Sequence, residues 1–393
     1  MAGERLAKAL KMFRKRYQQA SSRKKRGEVL DEFCKATGYH RKYAITLLRR
    51  PWNSLEAPKP RKRGVSYSPA AMRVIEGIWK AAGYPWSQRL KALLPLWLPW
   101  SYKHIRGITP EIEREVRRIS ARQIDRRLQN KKRVLKRRLY GRTKPGTLLK
   151  HHIPIKTDCW DIKEPGFAEI DLVAHCGPSA SGEFIHSLNL TDIHTGWVET
   201  RAVLGKSEAR VVQTLDEIRR QLPYTLKGID SDNGSEFINH HLFRYCQKHN
   251  IQFTRSRPYK KNDNAHIEQK NWTHVRKIFG WERYDTPELQ QAMNALYCQE
   301  LRLMMNLYQP SVKLISKHRV GSRVRRQYDD ATTPIDRLLH SCSEAPLPLQ
   351  RLELMRERLD PFELERAIQN ALERIDHLRN RSGNHETLQQ LAT

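Results

Sequence analysis

Nowhere in this chain are two cysteines separated by only two residues. The six present, Cys34, Cys159, Cys176, Cys246, Cys298 and Cys342, are scattered. A zinc ribbon or knuckle needs closely paired thiols, and a disulfide scaffold needs a dense framework, so neither class is expected. Long apolar runs are missing too. The most apolar stretch, LKALLPLWLPW at 90–100, carries Lys91 and is interrupted by Pro95 and Pro99, whereas a membrane-spanning helix needs roughly 20 apolar residues. The N-terminal MAGERLAKALKMFRKRYQQ is charged throughout and has no apolar centre of the kind a secretory leader carries. No membrane and a reducing, cytoplasmic location are therefore expected. Gly205-Lys206-Ser207 ends like a phosphate-binding loop, but the position of that loop's first glycine is Thr200. No ATP-binding motif of that kind is encoded. Acid is also scarce: 42 Asp and Glu stand against 73 Lys and Arg, a formal net charge of +31. Such an excess favours a polyanionic partner, most simply nucleic acid.

A chain of 393 residues is long for one domain, and two to four are expected. Within 1–55, Leu6, Leu10, Phe13 and Tyr17 recur at helical spacing. Val29, Leu30, Phe33 and Cys34 then form the inner face of a helix, Gly38 a turn, and Ala44, Ile45 and Leu48 the inner face of a second helix. Helix, tight turn and basic helix is the pattern of a helix-turn-helix, with Arg41 and Lys42 outward as candidate DNA contacts. Any helical hairpin shares it. The proline-rich, basic stretch 51–64 reads as a linker.

A second helical unit covers 65–140. Thr109-Pro110 with Glu111 and Glu113 opens one helix, and Ser120 caps the next, where Ile124 and Leu128 point inward and Arg122 and Arg126 outward. This pattern also fits a helix-turn-helix, which makes Arg122 and Arg126 candidate DNA contacts. Over 155–300 the composition changes. Three strands in a row are followed by alternating helices and strands, which predicts a mixed sheet with helices on its faces. Residues 305–393 read as a small basic hairpin, then a helical tail. In the tail Leu364, Ile368, Ala371, Ile375 and Leu378 form a stripe that either packs on the chain's own body or pairs two copies.

Three acids stand out by position. Asp171 lies in the first strand, Asp232 ends the fourth, and Glu268 sits on a later helix. Clustered carboxylates repel unless a cation holds them, and oxygen-only ligands suit Mg²⁺ or Mn²⁺. Asp230, two before Asp232 on the same strand face, reads first as a solvated strand-end acid, and Asp192 as a turn residue. Arg257, Lys260 and Lys261 precede the helix of Glu268 and suit a phosphate backbone as well as a solvated loop.

The segments EID, SDNGSEF and IEQKN together resemble the catalytic core of the retroviral-integrase superfamily, in particular bacterial insertion-sequence transposases with an Asp-Asp-Glu triad. Residues 233–267, 35 in all, separate the second acid from the glutamate, the spacing typical of such cores. The resemblance is close over roughly 155–285. It implies an RNase H-like α/β catalytic core with helix-turn-helix units N-terminal to it. It further implies Asp171, Asp232 and Glu268 as catalytic residues and as ligands of two Mg²⁺ or Mn²⁺ ions. The activity implied is cleavage of element ends and transfer of the 3′-OH ends to target DNA by a homodimer or larger assembly on DNA, without ATP. A non-catalytic DNA-binding regulator and a nuclease of the same fold without strand transfer are the competing readings. The His-His-Cys-Cys zinc module of retroviral integrases has no counterpart here, since Cys34 and His40 lack partners at suitable spacing.

Overall fold

The computed structural model describes residues 2–49, 67–135, 162, 164–231, 237, 239–255, 265–320 and 323–390. They divide into two compact units, residues 1–66 and 67–393.

The first unit holds three helices, α1 (Ala2–Gln19), α2 (Arg23–Thr37) and α3 (Arg41–Arg49). Ser22 starts α2 by accepting a hydrogen bond from the Lys25 amide (3.2 Å). Gly38 ends it in the left-handed region at φ 72°, its amide donating to the Cys34 carbonyl. Phe13, Tyr17, Val29, Leu30, Phe33, Ala44 and Leu48 form a separate core. Phe13 and Phe33 meet edge to face at 5.4 Å.

The second unit opens with α4 (Pro69–Ala81), α5 (Ser87–His104), α6 (Pro110–Arg118) and α7 (Ala121–Leu135). The apolar run seen in the sequence is α5, with Leu90, Leu93, Leu94, Trp97 and Leu98 fully buried. The expected caps are present. Thr109 accepts from Ile112 (3.4 Å) and Ser120 from Gln123 (3.3 Å). Ile124 and Leu128 point inward, Arg122 and Arg126 outward. These helices share one continuous hydrophobic core with the sheet that follows.

That sheet comprises β1 (Phe167–Ala174), β2 (Ile185–Asp192), β3 (Val198–Leu204), β4 (Gly228–Ser231) and β5 (Gln252–Arg255), in the order β3-β2-β1-β4-β5. β2 runs antiparallel to β1 and β3, while β1, β4 and β5 are parallel. This is the mixed RNase H-like sheet expected. Alternation gives its faces opposite characters. Ala168, Ile170, Leu188, Leu190, Val203, Ile229 and Phe253 make one face apolar. α8 (Glu208–Gln221) and α9 (His240–Lys248) add Val211, Leu215, Ile218, Leu242 and Cys246 to the same core. α9 begins at His240, where Asn239 caps it by accepting from the Leu242 amide at 2.8 Å.

The opposite face carries Glu169, Asp171, Ser187, Asn189, Thr191, Thr200, Asp230 and Thr254. All of these except Asp171 are buried. Helix α10 (Ala265–Lys270) covers this face and continues through a wide π-type turn, Asn271–Arg276, into α11 (Lys277–Phe279).

Residues 287–308 had no expected element. They form α12 (Pro287–Leu296) followed by two π-type segments, Tyr297–Leu301 and Met304–Tyr308. Two asparagines from this run clamp edge strand β3. Asn294 accepts from the Ala202 amide (2.7 Å) and donates to the Ala202 carbonyl (2.9 Å). Asn306 does the same at Val198, at 2.9 and 2.8 Å.

β6 (Leu314–Val320) and β7 (Arg323–Tyr328) form the basic hairpin, and α13 (Pro334–Ser341), α14 (Leu347–Arg358) and α15 (Pro361–Gln390) follow. Asp360 caps α15 by accepting from the Phe362 amide at 3.0 Å. Leu364, Ile368 and Ile375 are buried in the unit's own core, with Ala371 and Leu378 packed against it. The stripe packs on the unit's own body, the first of the two readings.

Candidate active site

The centre of the candidate site is β1. Asp171 faces α10, and its two carboxylate oxygens are held differently. Oδ1 accepts from the Leu172 amide at 2.8 Å, and Oδ2 from Asn271 Nδ2 at 2.6 Å. Asn271 in turn accepts from Asn189 Nδ2 at 2.9 Å, and Asn189 is fully buried beside Thr200. A polar chain thus runs from Asp171 through the helix to β2. Asn271 comes three residues after Glu268, at the start of the π-type turn. The sequence reading missed Asn271 and Asn189. The only signal was spacing from the glutamate and cross-strand register with Asp171.

Glu169 shares the face of Asp171. It is buried, and its Oε2 accepts from the Ile267 amide in the first turn of α10 at 2.9 Å. This ties the helix that carries Glu268 directly to the strand that carries Asp171. Asp230 is not the solvated strand-end acid expected. It is fully buried next to Glu169 in the parallel register and accepts from the Thr254 hydroxyl at 2.6 Å. Asp192 is a turn residue, but a buried one. It accepts from the Gly166 amide and from the Thr195 amide and hydroxyl, and burial raises its pKa despite those donors.

Asp232, Arg257, Lys260 and Lys261 lie outside the described residues. Glu268 lies in α10. Arg41 and Lys42 are exposed on the first unit, where Arg41 pairs with Asp31. Arg122 and Arg126 lie on α7, not on the sheet.

Several basic groups crowd the helix of the site. Burial, and then the charges of Arg89 and Arg337, pull the Lys270 ammonium down to about 7. Burial likewise keeps His274 well below its ordinary value, with Lys270 and Arg89 adding to the effect. His175, at the end of β1, is held near 3 by burial and stays a neutral hydrogen-bonding group linked to Ser187, itself bonded to Tyr297. Among the described residues, His104, Asp360 and Glu363 form the one cluster able to ligate a metal. In it His104 Nε2 already sits 2.8 Å from Asp360. No helix among the described residues is long and apolar enough to cross a membrane.

Residues 163–261 match the family described as integrase core domain. That span contains Asp171 and Asp232 and ends before Glu268. The chain is 38% identical over 320 residues to an uncharacterized protein, y4rM, of Sinorhizobium fredii, covering 81% of this chain and 91% of that one. Among solved structures it is similar to the catalytic core domain of BIV integrase, with 18% identity and a TM-score of 0.30 over 45% of this chain and 95% of that one. The HTLV-2 integrase catalytic core domain, solved with magnesium in a dimeric form, has 12% identity and a TM-score of 0.29 over 38% and 91%.

Proposed function

The chain belongs to the integrase and transposase superfamily, and on that premise we propose that it is a DNA transposase. In this reading it binds element ends, hydrolyses a phosphodiester at each, and joins the freed 3′-OH to target DNA through one active site. Asp171, Asp232 and Glu268 are the catalytic carboxylates. The observation that carries the reading is the meeting of β1, β4 and α10. The parallel register pairs Glu169 with Asp230 and Ile170 with Ser231, and Asp171 and Asp232 follow these pairs in sequence. α10, which carries Glu268, is fastened to the same strand by Glu169 and Asn271.

The donor chemistry fits a divalent cation. Carboxylate oxygens are the ligands that Mg²⁺ and Mn²⁺ prefer, and Asp171 is partly exposed. Asp171, Asp232 and Glu268 would hold two ions. Such ions, when bound, raise the acidity of an attacking water and neutralise charge on a leaving oxygen. The chain's own share is orientation. Asn271 fixes the rotation of the Asp171 carboxylate, and Glu169 sets the height of α10 over the sheet. The exposed bases of the first unit, Arg41 and Lys42, and Arg122 and Arg126 of α7 supply candidate DNA contacts, as do Arg257, Lys260 and Lys261 ahead of α10. Two ends must meet one target, so the assembly is at least a dimer on DNA.

The test uses duplexes made from the DNA bordering the gene. Cleavage that needs Mg²⁺ or Mn²⁺, vanishes in EDTA and produces joined 3′ ends in a target plasmid is the expected result. Undiminished cleavage in EDTA refutes the metal reading. Cleavage without joining makes the protein a nuclease instead.

A further inference from the structure

Between Leu314 and Tyr328 the chain carries four arginines, one lysine and one histidine, and no acid. These residues make β6 and β7, a sheet of two strands whose outer edges pair with no other described strand. The antiparallel register sets Lys317 beside Arg326, His318 beside Arg325, Arg319 beside Val324 and Val320 beside Arg323. Cross-strand partners share a face, and successive pairs alternate between faces. One face therefore takes Lys317, Arg319 and Arg326, and the other takes His318, Arg323 and Arg325. His318 and Arg325 are exposed.

The foot of this ribbon is fixed. Lys313 Nζ donates to the His194 carbonyl at 2.6 Å, and the Lys313 carbonyl accepts from the Asp329 amide at 3.0 Å. Ser311 and Thr332 exchange backbone bonds of 2.9 and 3.1 Å just below. Arg337 ties the foot to the body by donating to Asp329 (3.0 Å), to the Ser311 carbonyl (2.6 Å) and to the Thr195 carbonyl (3.3 Å). The ribbon thus springs from the turn between β2 and β3. Asp192, at the start of that turn, lies along β2 from Asn189, the cross-strand partner of Asp171, by about 10 Å of strand. A duplex held by the ribbon is within reach of the candidate site.

Cations on an unpaired strand edge also keep it from pairing with another chain. That accounts for the charges but not for the foot. There the partners Leu314 and Tyr328, with Ile315 in the bulge beside them, are all exposed. Apolar side chains grouped on the surface next to a cluster of cations mark a face that a partner covers. An acidic protein surface would meet one face of the ribbon only. Here both faces carry cations, and a DNA groove has two phosphate walls. A strand layer with its side chains is about 10 Å thick, which matches the roughly 12 Å major groove of B-form DNA and exceeds the roughly 6 Å minor groove. The major groove of an RNA duplex is too narrow and deep to admit it.

We propose that β6 and β7 form a DNA-binding ribbon that enters the major groove of a duplex end-on, with one basic face toward each backbone. The inference rests on the reading of the chain as a protein that acts on DNA, and not on the carboxylate assignments.

The test is fluorescence anisotropy of a labelled duplex of about 30 base pairs with the full chain, in EDTA so that no cleavage intervenes. Arg323→Ala, Arg325→Ala and Arg326→Ala combined weaken binding at least about tenfold near 0.15 M salt and lower the slope of log affinity against log salt by about two to three. Arg323→Lys, Arg325→Lys and Arg326→Lys combined keep most of the affinity, since a phosphate is met by the charge. Arg351→Ala, Arg358→Ala and Arg374→Ala combined, at exposed arginines of α14 and α15, remove the same net charge and leave affinity within about twofold. Methyl green, which occupies the major groove, competes with the unmodified chain; distamycin, which occupies the minor groove, does not. Should the alanine variant not fold, trypsin decides, because in the unmodified chain the duplex protects the bonds after Arg323, Arg325 and Arg326. The proposal is overturned by an unmodified chain that does not bind the duplex, by an alanine variant that binds as the α14 and α15 variant does, by bonds that stay unprotected, by competition from distamycin alone, or by an RNA duplex that competes as well as DNA. A chain that binds through the ribbon yet never cleaves in Mg²⁺ leaves the ribbon standing and removes the transposase reading. A chain that cleaves and binds unchanged without the three ribbon arginines does the reverse.

Discussion

Replacing Asn271 with leucine tests the orientation of Asp171, the proposed catalytic carboxylate, with little change of volume. The substitution removes the donor 2.6 Å from Asp171 Oδ2 and the acceptor 2.9 Å from Asn189 Nδ2. Its two consequences differ in kind. Asn189 is 0% exposed, so no water replaces the lost acceptor, and a buried orphaned donor costs about 1–3 kcal/mol of stability. Asp171 is partly exposed, so water restores its hydrogen bond but not its fixed direction. Loss of an outer partner that orients a metal ligand lowers metal affinity or rate roughly 10–100-fold. Asn189→Leu breaks only the far link and leaves the contact with Asp171, so its effect on metal affinity is smaller. The double variant costs less than the sum of the two, since both act on one chain of bonds. Calorimetric titration with Mn²⁺ reads affinity, urea denaturation reads stability, and duplex cleavage reads rate. If Asn271→Leu lowers stability as expected yet leaves Mn²⁺ affinity and cleavage within about twofold, the argument fails, and Asn271 is a buried structural amide and nothing more.

Asp232→Asn removes end cleavage and strand transfer together while end binding in a gel-shift assay stays within about twofold, and Asp171→Asn and Glu268→Gln behave alike; retained cleavage in any of them removes that residue from the triad. Asp230→Asn, buried against Thr254, lowers the denaturation midpoint more than it alters the metal requirement, and the reverse pattern makes Asp230 the ligand. A fragment of residues 1–66 folds by circular dichroism and binds DNA, with binding reduced by Arg41→Ala or Lys42→Ala, whereas a cut at residue 140 exposes the core shared by α4–α7 and the sheet and yields an aggregating product. Because His175 is held near 3 while an unfolded histidine titrates near 6.5, the unfolded chain binds the extra proton between those values. Its contribution to stability is therefore complete above about pH 6.5 and is lost as pH falls toward 3, at up to about 1.4 kcal/mol per pH unit; a His175→Phe variant with the same acid profile rules this out.

The elements that could be read directly were those whose signals are local. Thr109-Pro110, Ser120 and Asp360-Pro361 mark helix starts through side chains that bond the next turn, and each does so in the structure. The alternation in FAEIDLVA marks β1 because a strand turns every second side chain to one face. Most of what was missed depends on distant partners. Residues 287–308 were missed although Thr286-Pro287-Glu288 carries the same local start signal as Thr109-Pro110-Glu111; only after Leu296 do π-type turns break the 3.6-residue period on which apolar spacing relies. Asn271 and Asn189 look like surface amides until the fold brings them to Asp171. Asp230 reads as a solvated acid because nothing near it in sequence reveals that Thr254 and the neighbouring strands enclose it.

The asparagine clamps on β3 also govern timing. Asn294 and Asn306 lie 92 and 108 residues beyond the amides they satisfy. At roughly 5–20 residues per second of synthesis, β3 leaves the ribosome on the order of 5–20 s before the groups that seal it exist. During that interval the sheet has an open rim able to recruit a strand from a neighbouring nascent chain. Once Asn306 arrives, the rim is closed by the polypeptide's own amides. Translation pauses upstream of residue 306 therefore lengthen the exposure and raise aggregation, while pauses after it do not.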